Sequence, residues 1–369
     1  MLQSELLREG EHMLTVCNAC RYCEGFCAVW PAMEYRRKFS ESDLTYLANL
    51  CHNCTECYYA CQYAPPHEWL VNPPQTFAKV RAQSYEQFVW PKWLGSAFRA
   101  NALVVSLVSA LVLVFFLLGT AQMLGPSALV AAVPGGNFYN VTSHELLVLT
   151  FGAVGLFAAL ALLVGLIGFW RNTGEQLSDL TNAAALKTAI KEVLRLEYLD
   201  GRGWGCANPE GESSQTRRWF HHFTFYGFLL CFAATTLGAI YYYVLGLPGP
   251  YGYSSLPVVL GTLGGIGLLI GPAGLYFLKL RRNRETADEQ QYGMDVAFIV
   301  MLLLTSATGL ALLGLRETAA MGTLLLIHLG IVMALFLTLP YGKFVHGIYR
   351  GAAILRYALE RARKKTLGV

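Results

Sequence analysis

The sequence predicts a mainly α-helical membrane protein, in which a polar N-terminal domain precedes a six-helix transmembrane bundle. Of its 369 residues, 54% are hydrophobic and only 14% are charged, which argues against a soluble globular protein of this size. Five stretches contain no Asp, Glu, Lys or Arg: 100–143, 146–170, 219–278, 296–315 and 318–342. Each can cross a bilayer, because about 20 helical residues span its hydrocarbon core.

Residues 1–95 are expected to form a separate cytoplasmic domain. Glu5 and Arg8 interrupt any apolar core near the N-terminus, so the segment lacks the pattern of a signal peptide. Eight of the ten cysteines lie between Cys17 and Cys61. Because cytoplasmic thiols stay reduced, these cysteines are expected to bind metal rather than to form disulfides.

Turn residues and charges divide the remaining chain into six predicted spans. The long run 219–278 breaks at 246–252, which is rich in Gly and Pro. The spans are predicted at 103–124, 146–170, 222–245, 257–278, 296–315 and 321–342. We place the membrane domain at 96–349, with a cytoplasmic loop at 171–218 that contains a helical stretch at 186–199. A basic cytoplasmic tail is expected at 350–369.

The distribution of Lys and Arg predicts the orientation. The loops after spans one and three contain none, and the loop after span five contains only Arg316. The loop 171–218 contains seven, the segment 279–284 four and the segment 343–369 seven more. By the positive-inside rule, both termini and the cysteine-rich domain lie on the cytoplasmic side of the inner membrane. The net charge of +4 is thereby explained, and we expect no nucleic-acid partner.

The cysteines form two runs with the spacing C-x2-C-x2-C-x3-C. This spacing is typical of a ferredoxin-like domain with two [4Fe–4S] clusters, in which three cysteines of one run and the last cysteine of the other hold each cluster. The pattern assigns Cys17, Cys20, Cys23 and Cys61 to one cluster, and Cys51, Cys54, Cys57 and Cys27 to the other. The alternative is a pair of zinc sites, which usually use two separated C-x2-C pairs. Cys206 and Cys231 are assigned to no metal.

Five histidines lie at or inside the predicted spans, where ionisable residues are rare and often functional. Span six and the residues after it are predicted to form one continuous helix, on which His328 and His346 share a face about 27 Å apart. Topology then suggests an inner pair, His346 with His221 or His222, and an outer pair, His328 with His144.

Facing histidines from two helices are what a b-type haem requires. The inner pair therefore predicts one haem b, and the outer pair a second. Flanking basic residues are placed to meet haem propionates; these are Arg217, Arg218, Lys343 and Arg350. Alternatively, His144, His221, His222 and His346 are interfacial side chains, and His328 makes one interhelical hydrogen bond.

Two other motifs have ordinary structural explanations. Tyr241, Tyr242 and Tyr243 could line a quinone pocket, but tyrosines are common at membrane interfaces. The glycine-rich segment 261–267 resembles a nucleotide loop only out of context, because it lies in a span where glycines let helices approach closely. No catalytic residue is predicted.

The chain resembles a known family in its cysteine runs and in four further segments. These are RRWFHHFT at 217–224, SLPVVLGT at 255–262, HLG at 328–330 and LPYGKFVHG at 339–347. Together they are similar to the tricarballylate-utilisation protein B family, also called the citrate-utilisation protein B family. The two histidines near the C-terminus are also similar to those of membrane cytochrome b subunits of nitrate-reductase type.

The resemblance implies that the chain accepts electrons from an FAD-dependent dehydrogenase that oxidises tricarballylate, and passes them to the membrane quinone pool. The implied order is flavin, the two clusters, haem and quinone. No part of the chain has a dinucleotide-binding pattern, so the flavin would belong to the partner. One alternative is an iron–sulfur and cytochrome b subunit of another respiratory complex, of heterodisulfide-reductase or nitrate-reductase type. Another is a transporter or redox sensor, for which the spans lack substrate-facing charges.

Overall fold

The computed structural model describes residues 2–203, 205–207 and 210–367, and this part of the chain is mainly helical. Two short antiparallel strands, β1 (Cys206–Ala207) and β2 (Ser213–Ser214), form a hairpin. The helices are α1 (Leu2–Cys20), α2 (Val29–Glu34), α3 (Glu41–Leu50), α4 (Glu56–Tyr59), α5 (Pro73–Phe88), α6 (Asn101–Leu124), α7 (His144–Asn172), α8 (Ala183–Arg195), α9 (Thr216–Tyr243), α10 (Leu256–Leu280), α11 (Tyr292–Leu315), α12 (Met321–Thr338) and α13 (Val345–Leu367).

Helices α1 to α5, which we call the N-terminal domain, share an apolar core that continues into α7, α8 and α13. Leu14, Leu47 and Phe77 lie in this core, on α1, α3 and α5. Ser40 caps the first turn of α3 in a reciprocal capping box, and Asn72 caps α5. The cysteine runs occupy the ends of these helices and the segments between them, so the rigid helices fix where the thiols lie.

Six helices are long and apolar enough to cross a membrane: α6, α7, α9, α10, α11 with the short 3₁₀ turn before it, and α12. The mainly α-helical fold with six spans is therefore confirmed, and each helix begins and ends within a few residues of the predicted positions, apart from the earlier starts of α9 and α11. The stretch predicted at 186–199 forms α8 and a following 3₁₀ turn.

Glycines bring α9 and α10 into close contact, as expected for the segment 261–267. A Cβ atom added at Gly264 would lie 2.8 Å from the carbonyl oxygen of Gly227, and one at Gly267 would lie 3.0 Å from that of Phe223. Such small residues are the usual means of close helix packing in lipid. Further along the bundle, α10 packs on α11, α11 on α12, and α12 on α6 and α7.

The continuous helix predicted to carry both His328 and His346 is wrong. Helix α12 ends at Thr338, a 3₁₀ turn follows at Leu339–Tyr341, and Gly342 has extended backbone before α13 begins. Pro340 supplies no backbone N–H and clashes with the preceding turn, so an uninterrupted helix is unfavourable here. The two histidines therefore lie on separate helices.

The segment expected to be a basic tail at 350–369 is helical in its described part, where it continues α13 to Leu367. Helix α13 packs on α3, α7 and α8, and it buries Ala353, Ile354 and Leu359. Arg36 of the N-terminal domain pairs with Glu360 at 2.5 Å. The C-terminal helix thus joins the N-terminal domain to the membrane bundle.

Candidate metal centres

A first cavity, of about 300 Å³, is lined by five cysteines: Cys17, Cys20, Cys23, Cys57 and Cys61. The last turn of α1 carries Cys17 and Cys20, three residues apart on one face. Arg21 then takes a positive φ of 56°, which turns the chain and brings Cys23 back toward the helix end. Cys61 reaches the same cavity from the segment after α4.

A second cavity is lined by Cys27, Cys51, Cys54 and Cys57. Cys51 ends α3, and positive φ angles at Asn53 and Thr55 wrap the following loop around the cavity. Trp30 and Pro73 line both cavities, so the two are neighbours. The two cavities separate seven of the eight cysteines in the way that the spacing predicts, whereas Cys57 lines both. That the cysteines bind clusters, and in which sets, stays a prediction.

The donor set of the two cavities is the one that iron–sulfur clusters use, because at least four cysteine thiols line each cavity. Among the described residues, no group of three or more His, Cys, Asp or Glu side chains is close enough to hold one metal ion. Zinc sites also use cysteine thiols, and it is the C-x2-C-x2-C-x3-C spacing that favours clusters.

Burial and mutual repulsion disfavour free thiolates in both cavities. Burial raises the pKa of Cys23 to about 12, with a further contribution from the thiols of Cys61 and Cys20. Burial likewise raises the pKa of Cys27 to about 12, with a contribution from Cys51. Thiolates this crowded need a compensating positive centre, which the iron of a cluster supplies.

His221 of α9 and His346 of α13 face each other at the end of the bundle near the second cavity. Their ring centroids are 6.2 Å apart, with the ring planes at 77°. Two metal–nitrogen bonds of about 2 Å and two ring radii of about 1 Å add up to about 6 Å. The separation therefore fits one iron between two imidazoles.

Hydrogen bonding orients His346 for this role. Its Nδ1 lies 2.5 Å from the carbonyl oxygen of Lys343, an arrangement that fixes the ring and leaves Nε2 for a metal. The buried Nδ1 of His221 has no hydrogen-bond partner among the described residues. His222 points elsewhere: its ring stacks on Tyr226 at 5.7 Å and contacts Trp219. Of the two predicted alternatives, the structure brings His221 to His346.

The structure does not bring His328 and His144 together as an outer pair. The ring of His144 stacks on Tyr242 at a centroid distance of 3.8 Å. His328 Nδ1 lies 3.0 Å from the hydroxyl of Thr308 on α11. No ring contact joins the two histidines in the part of the chain that the structure describes. His328 instead makes an interhelical hydrogen bond, which the sequence predicted as the alternative to haem binding.

The basic residues expected near haem propionates have protein partners instead. Arg217 donates to the carbonyl oxygens of Asn53 and His52, at 2.5 and 3.1 Å, and Arg350 donates to that of Cys51 at 2.8 Å. The remaining two, Arg218 and Lys343, pair with Asp200 and Asp295. Two of the four thus tie the loop of the second cavity to the helices that carry His221 and His346.

Two further residues lie at the second cavity, and of these only His52, which follows Cys51 directly, can be placed there from the sequence. His52 lines the cavity, and burial, with Arg350 nearby, holds its pKa well below the usual value. Cys206 is buried against Cys54 and accepts a weak hydrogen bond from Arg217 at 3.8 Å. The β1–β2 hairpin reaches this place because the Ala207 N–H donates to the carbonyl of Cys54 at 3.0 Å. Such long-range contacts leave no local pattern.

Comparison with known proteins adds evidence for the whole chain. A family model described as citrate utilization protein B matches residues 96–367, and one described as the Fer4-like domain of that protein matches residues 10–87. The citrate utilization protein B of Escherichia coli is 49% identical over 363 residues, which cover 98% of this chain and 94% of that protein. No solved structure matches this chain.

Proposed function

Because the chain belongs to the citrate utilization protein B family, we propose that it is a membrane-anchored electron carrier. It reoxidises the FADH2 of a partner flavin dehydrogenase of the tricarballylate or citrate type. It passes the electrons to the quinone pool of the inner membrane, with its N-terminal domain on the cytoplasmic side. The matches to both the Fer4-like and the membrane family models favour this over a subunit of another respiratory complex.

One observation carries the proposal, which is that three candidate sites lie in series. The first cavity adjoins the second, and Trp30, Cys57 and Pro73 line both. The loop of the second cavity is bonded to the helices of the histidine pair through Arg217 and Arg350. A series of closely spaced sites from a polar domain into a membrane bundle is what an electron carrier requires.

The residues that would hold the groups follow from this geometry. Cys17, Cys20, Cys23 and Cys61 would hold one [4Fe–4S] cluster, and Cys27, Cys51, Cys54 and Cys57 the other. His221 and His346 would hold one haem b. When bound, these groups take up and release single electrons, which suits them to follow a flavin that collects two.

The protein itself fixes the spacing and excludes water. Cys51 and Cys54 are buried, and Tyr198 covers the second cavity beside His52. Arg217 and Arg350 place positive charge beside the second cavity, which favours a reduced, more negative group there. Overall, FADH2 gives two electrons and two protons, and a quinone gains two of each to become a quinol.

The proposal is tested by reconstituting the protein in liposomes that contain a quinone and adding an FAD-dependent tricarballylate dehydrogenase with tricarballylate. We expect quinol to form only when the protein is present. His221→Ala should abolish quinol formation and haem content but keep the iron of the clusters, whereas His222→Ala should keep all three. Quinol formation at the wild-type rate by His221→Ala would contradict the proposed route.

A further inference from the structure

The rim of the first cavity carries three exposed apolar side chains, which we call the entry patch: Tyr22, Trp69 and Leu70. Their exposed fractions are 69%, 43% and 62%. Tyr22 lines the cavity directly. The ring of Trp69 packs at 4.8 Å on Tyr63, which also lines the cavity, so Trp69 lies one side chain away from the first site.

The backbone conformation keeps the Leu70 side chain of the entry patch exposed to solvent. Leu70 has a positive φ of 46°, a conformation that side chains other than glycine rarely adopt. The next residue, Val71, is anchored by its N–H to the carbonyl of Tyr63 at 2.9 Å and lines the cavity. The positive φ of Leu70 is strained, and in the isolated protein no burial of its side chain offsets this strain. Backbone strain of this kind is typical of functional surfaces.

The order of the sites indicates what the patch contacts. The second cavity is the one tied to the membrane helices through Arg217 and Arg350. The first cavity is therefore left as the place where electrons enter, and a donor must bring its redox group close to it. We propose that the entry patch is the docking surface for the reduced flavoprotein that supplies the electrons, an inference that rests on the proposed function.

The chemistry of the rim suits a transient protein contact. Tyr and Trp are the residues that most often dominate binding energy at protein interfaces. Charges of both signs, Arg21 and Glu24, lie beside the aromatic rings. Because the two charges are opposite, charge attraction does not explain how a partner protein would bind here. The apolar side chains of the entry patch are left to provide the binding energy. Interfaces of electron-transfer partners are small, so few residues suffice.

The test uses the full-length protein in detergent and single variants. Trp69→Ala and Leu70→Ser each remove one apolar side chain of the entry patch, and neither residue lines a cavity. Trp93→Ala is the matched control, because Trp93 is 75% exposed in the N-terminal part of the chain but lies outside the entry patch. Reduction is followed at rising concentrations of an FAD-dependent tricarballylate dehydrogenase reduced with tricarballylate, and separately with dithionite.

We expect Trp69→Ala to raise the dehydrogenase concentration for half-maximal rate about ten-fold or more. Iron content and reduction by dithionite should equal wild type, and Trp93→Ala should behave as wild type throughout. If Trp69→Ala loses iron, the half-maximal concentration of Leu70→Ser is the deciding measurement. Wild-type half-maximal concentrations in both patch variants would overturn the docking surface. A wild-type protein reduced by dithionite but not by the dehydrogenase would instead overturn the proposed donor.

Discussion

Arg217 is the residue at which the cysteine domain and the membrane helices meet. It lies one helical turn before His221 on α9, and its guanidinium donates to the carbonyls of His52 and Asn53. Five donors in a rigid planar fork allow arginine to hold two carbonyls and the thiol of Cys206 at once, which lysine cannot do. This one side chain therefore fixes the second cavity relative to the histidine pair.

Replacing Arg217 by Gln should slow electron arrival at the histidine pair without changing iron or haem content. Two buried carbonyls lose their partner, at a cost of about 1–3 kcal/mol for each unsatisfied group, and the loop of the second cavity is then free to shift. We expect the rate of haem reduction after mixing with the tricarballylate-reduced dehydrogenase to fall about ten-fold, measured by stopped-flow absorbance.

Arg218→Gln is the control for this experiment. Arg218 is the next residue, but it pairs with Asp200 rather than with the loop of the second cavity. Equal rates of haem reduction in the two variants would show that positive charge near the membrane, and not the hydrogen bonds of Arg217, sets this rate.

At the scale of single residues, local spacing is easier to interpret than long-range contacts. The cysteine spacing predicts which cysteines lie together for all but Cys57, which lines both cavities. The choice between His221 and His222 needs the direction in which α9 faces, and neighbouring helical residues point about 100° apart. Arg217 contacts residues more than 160 positions away, so no local pattern reveals its role.

Among the helices, α9 is the one whose position depends most on its neighbour, which is α10. The glycines on α10 let it approach the backbone of α9 near the histidine pair, and a different side of α9 presents His221 to α13. Gly271 makes the closest approach to the backbone of α9: an added Cβ would lie 2.5 Å from the backbone nitrogen of Thr224 and 2.7 Å from the carbonyl oxygen of Phe220. Backbone atoms cannot rotate away, so α9 would have to move.

Gly271→Ala should therefore displace the first turns of α9 and reduce haem binding, while the clusters remain. Overpacking of this kind typically costs about 1–3 kcal/mol. Gly261→Ala is the control, because its Cβ would meet Ala234 at an ordinary 3.6 Å. Haem and non-haem iron are measured on both purified variants. Full haem content in Gly271→Ala would show that the position of α9 is not set by this contact.

Element boundaries in the membrane follow from the sequence because hydrophobicity is local. The break between α12 and α13 does not follow from the sequence in this way. The segment 339–342 contains Pro and Gly, but membrane helices often continue through a proline kink, so the pattern was also compatible with one continuous helix. Its physical consequence is large, since the break separates His328 from His346 and removes the argument for a shared face.

On the scale of the whole molecule, α13 holds the N-terminal domain against the membrane bundle. Glu360 accepts hydrogen bonds from Arg36 at 2.5 Å and from Tyr46 at 3.0 Å. These groups are mostly buried, so removing one partner leaves a charge without compensation.

Glu360→Gln should thus destabilise the contact between α13 and the N-terminal domain. We expect a loss of about 3 kcal/mol, seen as a lower temperature for iron release on heating. Glu317→Gln is the control, because Glu317 is 65% exposed and 3.9 Å from Arg316. A release temperature equal to that of the control would mean that the contact is held by its apolar residues alone.

The same contact should weaken in acid. Burial raises the pKa of Asp43, but hydrogen bonds from Ser40 and the guanidinium of Arg36 outweigh burial and hold this pKa below its usual value. A carboxyl whose pKa is lower in the folded state stabilises the fold above about pH 4, its unfolded pKa, and this contribution disappears as the pH falls through the folded value.

Asp43→Asn should remove that dependence. Between about pH 5 and pH 2, the unfolding temperature of the variant is expected to fall less steeply than that of the wild type, which calorimetry of the purified protein measures. Parallel curves would show that other carboxyls dominate the acid response.

The central claim is that one chain carries two clusters and one haem in series. An optical reduced-minus-oxidised spectrum of the anaerobically purified protein, with haem and non-haem iron quantified on the same sample, tests it most directly. We predict a b-type haem signal, one haem per chain and about eight non-haem irons, four for each cube. Eight irons without haem would contradict the assignment of His221 and His346 and leave a membrane-bound protein of ferredoxin type.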